Sequence, residues 1–425
     1  MFLALLGFAI LFIMYALLVL EVMHRTAVAL LAASIVFALN IVLRFSSFEE
    51  LLLGVDIDTI LLLMSMMIIV GVLSRTGVFE YIAAIMLRKF HAHPLLLTSM
   101  LSAMTALISA FIDNVTTVLL VTPIVIEMFR RVGVDPRPVL LSIVFASNIG
   151  GTATLIGDPP NIIIGSVAGL GFMDFIRNLT PIVVVDLALF IILTKALYRK
   201  WLTVYSKRMR VVTEFWTTSI DRSLLKRVEM VLGLVIGLFF LEDLLGYPPA
   251  IPAMIGAGIT MLFIRKRMSI DEVLKFVDWS TLLFFIAMFI AIKGIEKMGV
   301  MSVIAQGVVA VSNNLIVLLM VILWLSALVS ALIDNIPFVM AMIPVIREVT
   351  QILSIDPTPL YWALSLGACL GGNATPVGAS ANIVVVGIAE KYGYHVSFSR
   401  ICKVWYTRYA INRWSCCNIL VRYAL

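Results

Sequence analysis

Two Asp-Asn pairs, Asp113-Asn114 and Asp334-Asn335, each stand between two apolar runs and lie 221 positions apart. An aspartate at the middle of a membrane helix costs about 2.5–3.5 kcal/mol on insertion scales, so it marks an ion or substrate path by default. The structural alternative is capping, in which Asp or Asn accepts from the free N–H groups of the helix that follows. Both can hold, because a helix end at membrane depth is tolerated only where it lines a cavity or is covered by protein.

A Gly- and Pro-rich interruption follows each pair: GGTATLIGDPPN at 150–161 and GGNATPVGASAN at 371–382. Gly150, Gly151, Gly371 and Gly372 are expected to let the chain leave helical geometry there. The freed carbonyls, with Thr152, Thr154, Asn161, Asn373, Thr375 and Asn382, would offer hard oxygen ligands of the kind sodium takes. Asn148, just before the first break, joins this set, and sodium would be held through Asn114, Asn335 and neighbouring backbone carbonyls. Helix N-termini at the arm tips and after each break would present positive dipole ends to an anion or polar substrate. Close packing through small residues is the plain alternative for the glycines, but it does not explain why Asn161 and Asn382 recur beyond both breaks. The copies also differ, Thr116-Thr117 answering Pro337-Phe338 and Asp158 answering Ala379. Proton or cation coupling is therefore expected on Asp113, Asp158 and Asp334. Cys369 reads as a small packing residue rather than an arsenic(III) ligand.

The elements that must position these residues are set by a duplication. SAFIDNVTTVLLVTPIV at Ser109 returns as SALIDNIPFVMAMIPVI at Ser330 in the gapless register that relates the two breaks, and VDIDT at Val55 answers VDWST at Val277. A period of about 220 residues is too long for a solenoid and suits a transporter half. The composition, 62% hydrophobic and 13% charged, excludes an ordinary soluble domain, whose apolar fraction is nearer ~45–50%. Spans are expected at 1–20, 26–43, 59–73 and 180–197 in the first unit and at 228–245, 249–264 and 281–292 in the second. Segments 78–87 and 301–311 should lie along the interface. Paired arms are expected at 94–112 with 115–129 and at 315–333 with 336–346, and broken spans at 138–149 with 162–170 and at 360–370 with 382–389. The fold class is thus an all-α polytopic membrane protein of two inverted-topology repeats, 1–198 and 228–399.

The stretch 199–229 holds eight Lys or Arg against three acids. With the linker 199–227 in the cytoplasm, the other basic connectors fall on the same side and the N-terminus outside. The tail 400–425 has no apolar run of spanning length, and the expectation is a frame shift near 400–404 that removes the last helix. No zinc or disulfide pattern joins Cys369, Cys402, Cys416 and Cys417. Nothing resembles a phosphate loop, so no nucleotide or nucleic acid is expected; a soluble ATPase partner stays open. The net charge of +6 is read as orientation by basic loops.

IDNVTTVLLVTPI at Ile112, ASNIGGTATLIGDPPNIIIGS at Ala146, ALIDNIPFVMAMIPVI at Ala331 and LGACLGGNATPVGASANIVVVGIAE at Leu366 resemble the ion-transporter superfamily. That group contains arsenite efflux permeases, sodium/proton antiporters, the pink-eyed-dilution protein and, more distantly, sodium-coupled dicarboxylate symporters; the pink-eyed-dilution branch is the nearest. The resemblance implies two re-entrant hairpins with tips at the Asp-Asn pairs, packed against the broken helices, with substrate and coupling ion between them. It also implies a homodimer in the plasma membrane. The dicarboxylate symporters carry Ser-Asn-Thr at the tip where this chain has Asp-Asn-Val and Asp-Asn-Ile. The expected function is a secondary transporter coupled to Na+ or H+, with no other cofactor and no enzyme activity. Arsenite or antimonite efflux leads, followed by sodium/proton exchange and then di- or tricarboxylate or other anion transport. An intramembrane aspartyl protease built on two buried aspartates and a channel are the other classes considered.

Overall fold

The computed structural model describes residues 2–20, 22–90, 93–199, 201–203, 205 and 220–396. The first copy runs α1 (Phe2–Val19), α2 (Arg25–Leu43), α3 (Phe48–Leu52), α4 (Ile57–Ser74), α5 (Val78–Phe90), α6 (Pro94–Ser109), α7 (Asn114–Val132), α8 (Arg137–Gly151), α9 (Pro159–Ala168), α10 (Phe172–Asn178) and α11 (Thr180–Leu197). The second runs α12 (Arg222–Leu245), α13 (Ala250–Ile264), α14 (Ile270–Leu274), α15 (Trp279–Lys297), α16 (Val300–Val311), α17 (Leu315–Ser330), α18 (Asn335–Leu353), α19 (Thr358–Gly371) and α20 (Ser380–Lys391). Five helical stretches among the described residues are long and apolar enough to cross a membrane.

α1 to α9 match α12 to α20 in order, α10 and α11 having no counterpart among the described residues, and the copies are interleaved. In the frame, α2 packs along α15 and α4 along α13, so each copy lends a helix to the other. The same N-terminal cap recurs at equivalent places. Thr59 donates its hydroxyl to Asp56 Oδ2 at 2.5 Å and Thr281 does so to Asp278 Oδ2 at 2.5 Å, which fixes the starts of α4 and α15. Thr26 Oγ1 donates to the Ser280 carbonyl at 3.0 Å, while across the pseudo-symmetric pair the Ala250 N–H donates to Asp58 Oδ1 at 3.0 Å.

The second packed group is the hairpin body. α6 and α17, each of 16 residues, are followed after a short turn by the return arms α7 and α18, each of 19. Pro123 and Pro344 lie inside these return arms at equivalent positions. α6 packs on α8 and α17 on α19 within a copy, while α7 packs on α20 and α9 on α18 between copies.

The breaks start later and end sooner than 150–161 and 371–382. α8 stays helical through Gly151 and α9 begins at Pro159; α19 ends at Gly371, a 3₁₀ turn spans Gly372–Ala374, and α20 begins at Ser380. None of Gly150, Gly151, Gly371 and Gly372 adopts the left-handed backbone seen at Gly133 and Gly169. Their role is close approach: a Cβ on Gly150 would enter the backbone of Ala106, and one on Gly371 would lie 2.6 Å from Ala327 Cα. Small-residue packing, set aside on the sequence, explains these glycines. The expected frame-shifted tail at 400–425 and much of the 199–227 linker lie outside the described residues.

Candidate functional site

Each tip is a helix start capped by its own aspartate. Asp113 Oδ1 accepts from the Thr116 N–H at 2.9 Å and Asp334 Oδ1 from the Ile336 N–H at 3.2 Å. Such caps contribute about 1 kcal/mol and hold the carboxylates at the mouths of α7 and α18. Each tip is stitched to the break of its own copy. Thr154 donates to the Ala110 carbonyl, and Thr375 to the Ala331 carbonyl at 2.5 Å. Backbone contact is close as well, since a Cβ on Gly157 would sit 2.5 Å from the Ser109 carbonyl and one on Gly378 2.8 Å from that of Ser330.

Asn161 and Asn382 do have matching roles, and the role is to satisfy the breaks from within. Asn161 Nδ2 donates to the Thr152 and Thr154 carbonyls at 3.2 and 2.9 Å; Asn382 Nδ2 donates to those of Gly372 and Thr375 at 2.6 and 2.8 Å. These carbonyls, expected as sodium ligands, are already engaged. Thr152 Oγ1 is turned back to the Asn148 carbonyl at 2.8 Å, and Thr117 Oγ1 to that of Ile112 at 3.3 Å. Thr116, by contrast, lines a cavity.

Asn148 joins the copies. Its Nδ2 donates to Asn373 Oδ1 at 2.8 Å and to Asn382 Oδ1 at 3.0 Å, and its Oδ1 accepts from Asn114 Nδ2 at 3.1 Å. On the other side Ser365 donates to Asn161 Oδ1 at 2.6 Å. Asp158 is 1% exposed, starts α9 without capping it, and faces Asn335 Nδ2 at 3.5 Å. It lies within electrostatic reach of Asp334 and Asp113. Four helix N-termini, those of α7, α9, α18 and α20, thus gather at the centre of the fold around three carboxylates, and each brings a partial positive charge.

Two cavities open between this centre and the frame. One of about 260 Å³ is lined by Asp113, Thr116, Pro159, Arg25, Asp278 and Ser380 among others. The other, of about 370 Å³, reaches Asp334 and shares Arg25 and Asp278. Sequence reasoning missed Arg25, which it took only as the end of the first span, and Asp278, which it used only to align the repeats. The signal for Asp278 was the VDIDT and VDWST echo. Ser365 and Ser380 had none, because their partners lie far away in sequence. No group of three or more His, Cys, Asp or Glu suited to a metal ion occurs among the described residues.

Residues 15–367 match the family model described as citrate transporter. An uncharacterized transporter of Mycobacterium bovis is 40% identical over 390 residues, covering 90% of each chain. The P protein of Mus musculus is 35% identical over 474 residues, covering 92% of this chain and 56% of its own length. The crystal structure of the Alcanivorax borkumensis YdaH transporter superposes with a TM-score of 0.61 over 94% of this chain and 98% of that one, at 16% identity. That last likeness is one of fold.

Proposed function

The chain belongs to the citrate transporter family and is a multi-pass membrane transporter, and on that premise we propose that it is a cation-coupled secondary transporter of a small carboxylate anion. One observation carries the reading: four helix N-termini converge with Asp113, Asp158 and Asp334 at the junction of two interleaved copies. The helix ends favour an anion, whereas two like charges 4 Å apart repel by about 4 kcal/mol at an effective dielectric near 20. An anion enters such a centre only with cations or protons that quiet the carboxylates, and that requirement is the coupling. Na+ or H+ meets it at Asp113, beside Thr116.

Arsenite falls behind carboxylates in this reading. Undissociated arsenous acid gains little from converging helix dipoles, and the Cys369 thiol is committed to Asn161 Oδ1 at 3.7 Å in a fully buried setting. Sodium/proton exchange without an anion is the second reading, favoured by Asp113, Asp278 and Asp334, which line the cavities that Arg25 shares. In either case the N-terminus lies outside, the linker 199–227 faces the cytoplasm, and two chains pair in the plasma membrane.

Proteoliposomes loaded in turn with labelled citrate, succinate, arsenite and sodium, under imposed sodium or pH gradients, test the proposal. Cation-driven carboxylate counterflow that loses its cation dependence in Asp113→Asn is the expected result. Sodium/proton exchange alone would replace it with the second reading, and arsenite flux alone would overturn both.

A further inference from the structure

Arg25 begins α2 in the frame, and its side chain reaches the tip of the second hairpin. The guanidinium donates to Ser380 Oγ at 2.5 Å and to Thr281 Oγ1 at 2.9 Å, stands 3.6 Å from Asp334 Oδ2, and lies over the Phe284 ring at 5.6 Å. Ser380 Oγ in turn donates to the same Asp334 oxygen at 2.5 Å. Both oxygens of Asp334 are therefore engaged, one by the Ile336 N–H and the other by Ser380 and Arg25. A free monovalent cation would seek this same set of oxygens, and a guanidinium already holds it.

The first tip differs. Asp113 caps α7 but takes part in no ion pair among the described residues. Lys275 shares its cavity, and the charge acting on it from Asp278 has the same sign. Pseudo-symmetry points the same way. The bonds from Thr26 to Ser280 and from Ala250 to Asp58 make the start of α13 the counterpart of the start of α2. There the chain reads Tyr247-Pro248-Pro249-Ala250, with no basic residue to answer Arg25.

From this asymmetry we infer that Arg25 is a tethered cation for the second tip, so that the chain takes up one free monovalent cation, at Asp113, where two equivalent tips would take two. Arg25 acts through Asp334 and is a positioning residue, not a substrate ligand. The inference rests on the cation-coupled reading above and sets its stoichiometry. Sodium and a proton meet the same need at a carboxylate, so both sources are measured.

The test counts cations bound per purified chain in detergent. One arm uses radioactive sodium at fixed pH, and the other uses proton uptake after an acid step in sodium-free buffer, counted as the excess over the Asp113→Asn, Asp334→Asn double variant so that all other titrating groups cancel. The expected counts are one for the unaltered chain, none for Asp113→Asn, one for Asp334→Asn although its transport falls, and two for Arg25→Gln. Arg25→Gln combined with Asp334→Asn returns to one, and Arg25→Lys stays at one. A count of two in the unaltered chain that drops to one in Asp334→Asn overturns the inference and leaves coupling intact. A monodisperse Arg25→Gln that still binds one also overturns it; if that variant does not fold, the Asp334→Asn count decides. A count of none in both arms for the unaltered chain removes the coupled reading and this inference together.

Discussion

Asn148 and Cys369 occupy equivalent positions, 221 residues apart, and each addresses the asparagine beyond the other copy's break. Asn148 Nδ2 reaches Asn382 Oδ1 at 3.0 Å, and Cys369 Sγ reaches Asn161 Oδ1 at 3.7 Å. The first is an amide bond that is one of three made by the same side chain; the second is a weak thiol contact beside the stronger Ser365 hydroxyl. At this pair of positions Asn148 therefore supplies more of the bonding across the seam than Cys369 does.

Removing the two side chains should have unequal effects. Asn148→Ala leaves the Asn114 amide and the Asn373 oxygen without these partners in a buried site, and each orphaned group costs about 1–3 kcal/mol. Cys369→Ala removes a weak bond to Asn161, the thiol's contact with Asp158 and a small volume, a cost of about 1 kcal/mol. Thermal unfolding in detergent should show Asn148→Ala several degrees below Cys369→Ala. Equal midpoints would mean that the amide cluster does not hold the seam.

Much of this fold was legible because the duplication is gapless across the hairpins and breaks. Once Ser109 was aligned with Ser330, the starts of α6, α7, α17 and α18 followed to within one residue and the Asp-Asn pairs fell at helix starts, whereas the ends did not: α18 runs on to Leu353, past the expected 346. The break limits were not legible, because a glycine chosen for close helix contact and one chosen to end a helix look alike in sequence. Gly150 and Gly371 are of the first kind. The exchange of α2 and α13 between copies was hidden for another reason. Apolar faces of similar helices do not announce which neighbour they will cover. Arg25 was read only as the end of the first span, because nothing near it in sequence shows the aspartate it meets 309 positions later.

Glycine substitutions separate these roles directly. Gly150→Ala pushes a methyl group into the Ala106 backbone and Gly371→Ala into that of Ala327, and overpacking of this kind costs about 1–3 kcal/mol. Gly233 and Gly237 lie within α12, where an added methyl group would meet nothing within 4 Å, so alanine there should stabilise by up to about 1 kcal/mol through helix propensity. Opposite signs of the shift in unfolding midpoint are expected. A rise for Gly150→Ala would show that α8 does not need its contact with α6.

Acidification should loosen one edge of the frame. Glu50 in α3 pairs with Lys297 at the end of α15 and accepts from Ser46 at 2.7 Å. The Lys297 bond, with help from Ser46, holds the carboxyl below the usual glutamate range. A depressed folded-state value means that the contribution is present at neutral pH and is lost as pH falls below the ordinary carboxylate range, near 4.3. Unfolding midpoints of the unaltered chain and Glu50→Gln should differ slightly at neutral pH and converge in acid. The group is exposed, so the difference should also shrink with salt. A gap that persists in strong acid would show that Glu50 acts through packing instead.

Asp186 lies within α11, and one turn later Phe190 meets Phe145 of α8 edge-on. The carboxyl is 4% exposed, and its Oδ1 has no hydrogen-bond partner among the described residues. An unsatisfied buried oxygen costs about 1–3 kcal/mol. Leucine has the same branching and no polar atom, so Asp186→Leu should raise the unfolding midpoint by a few degrees, with Asp186→Asn in between. If Asp186→Leu instead unfolds earlier, the carboxyl has a partner that stabilises the fold, and α11 is held to α8 by more than its apolar face.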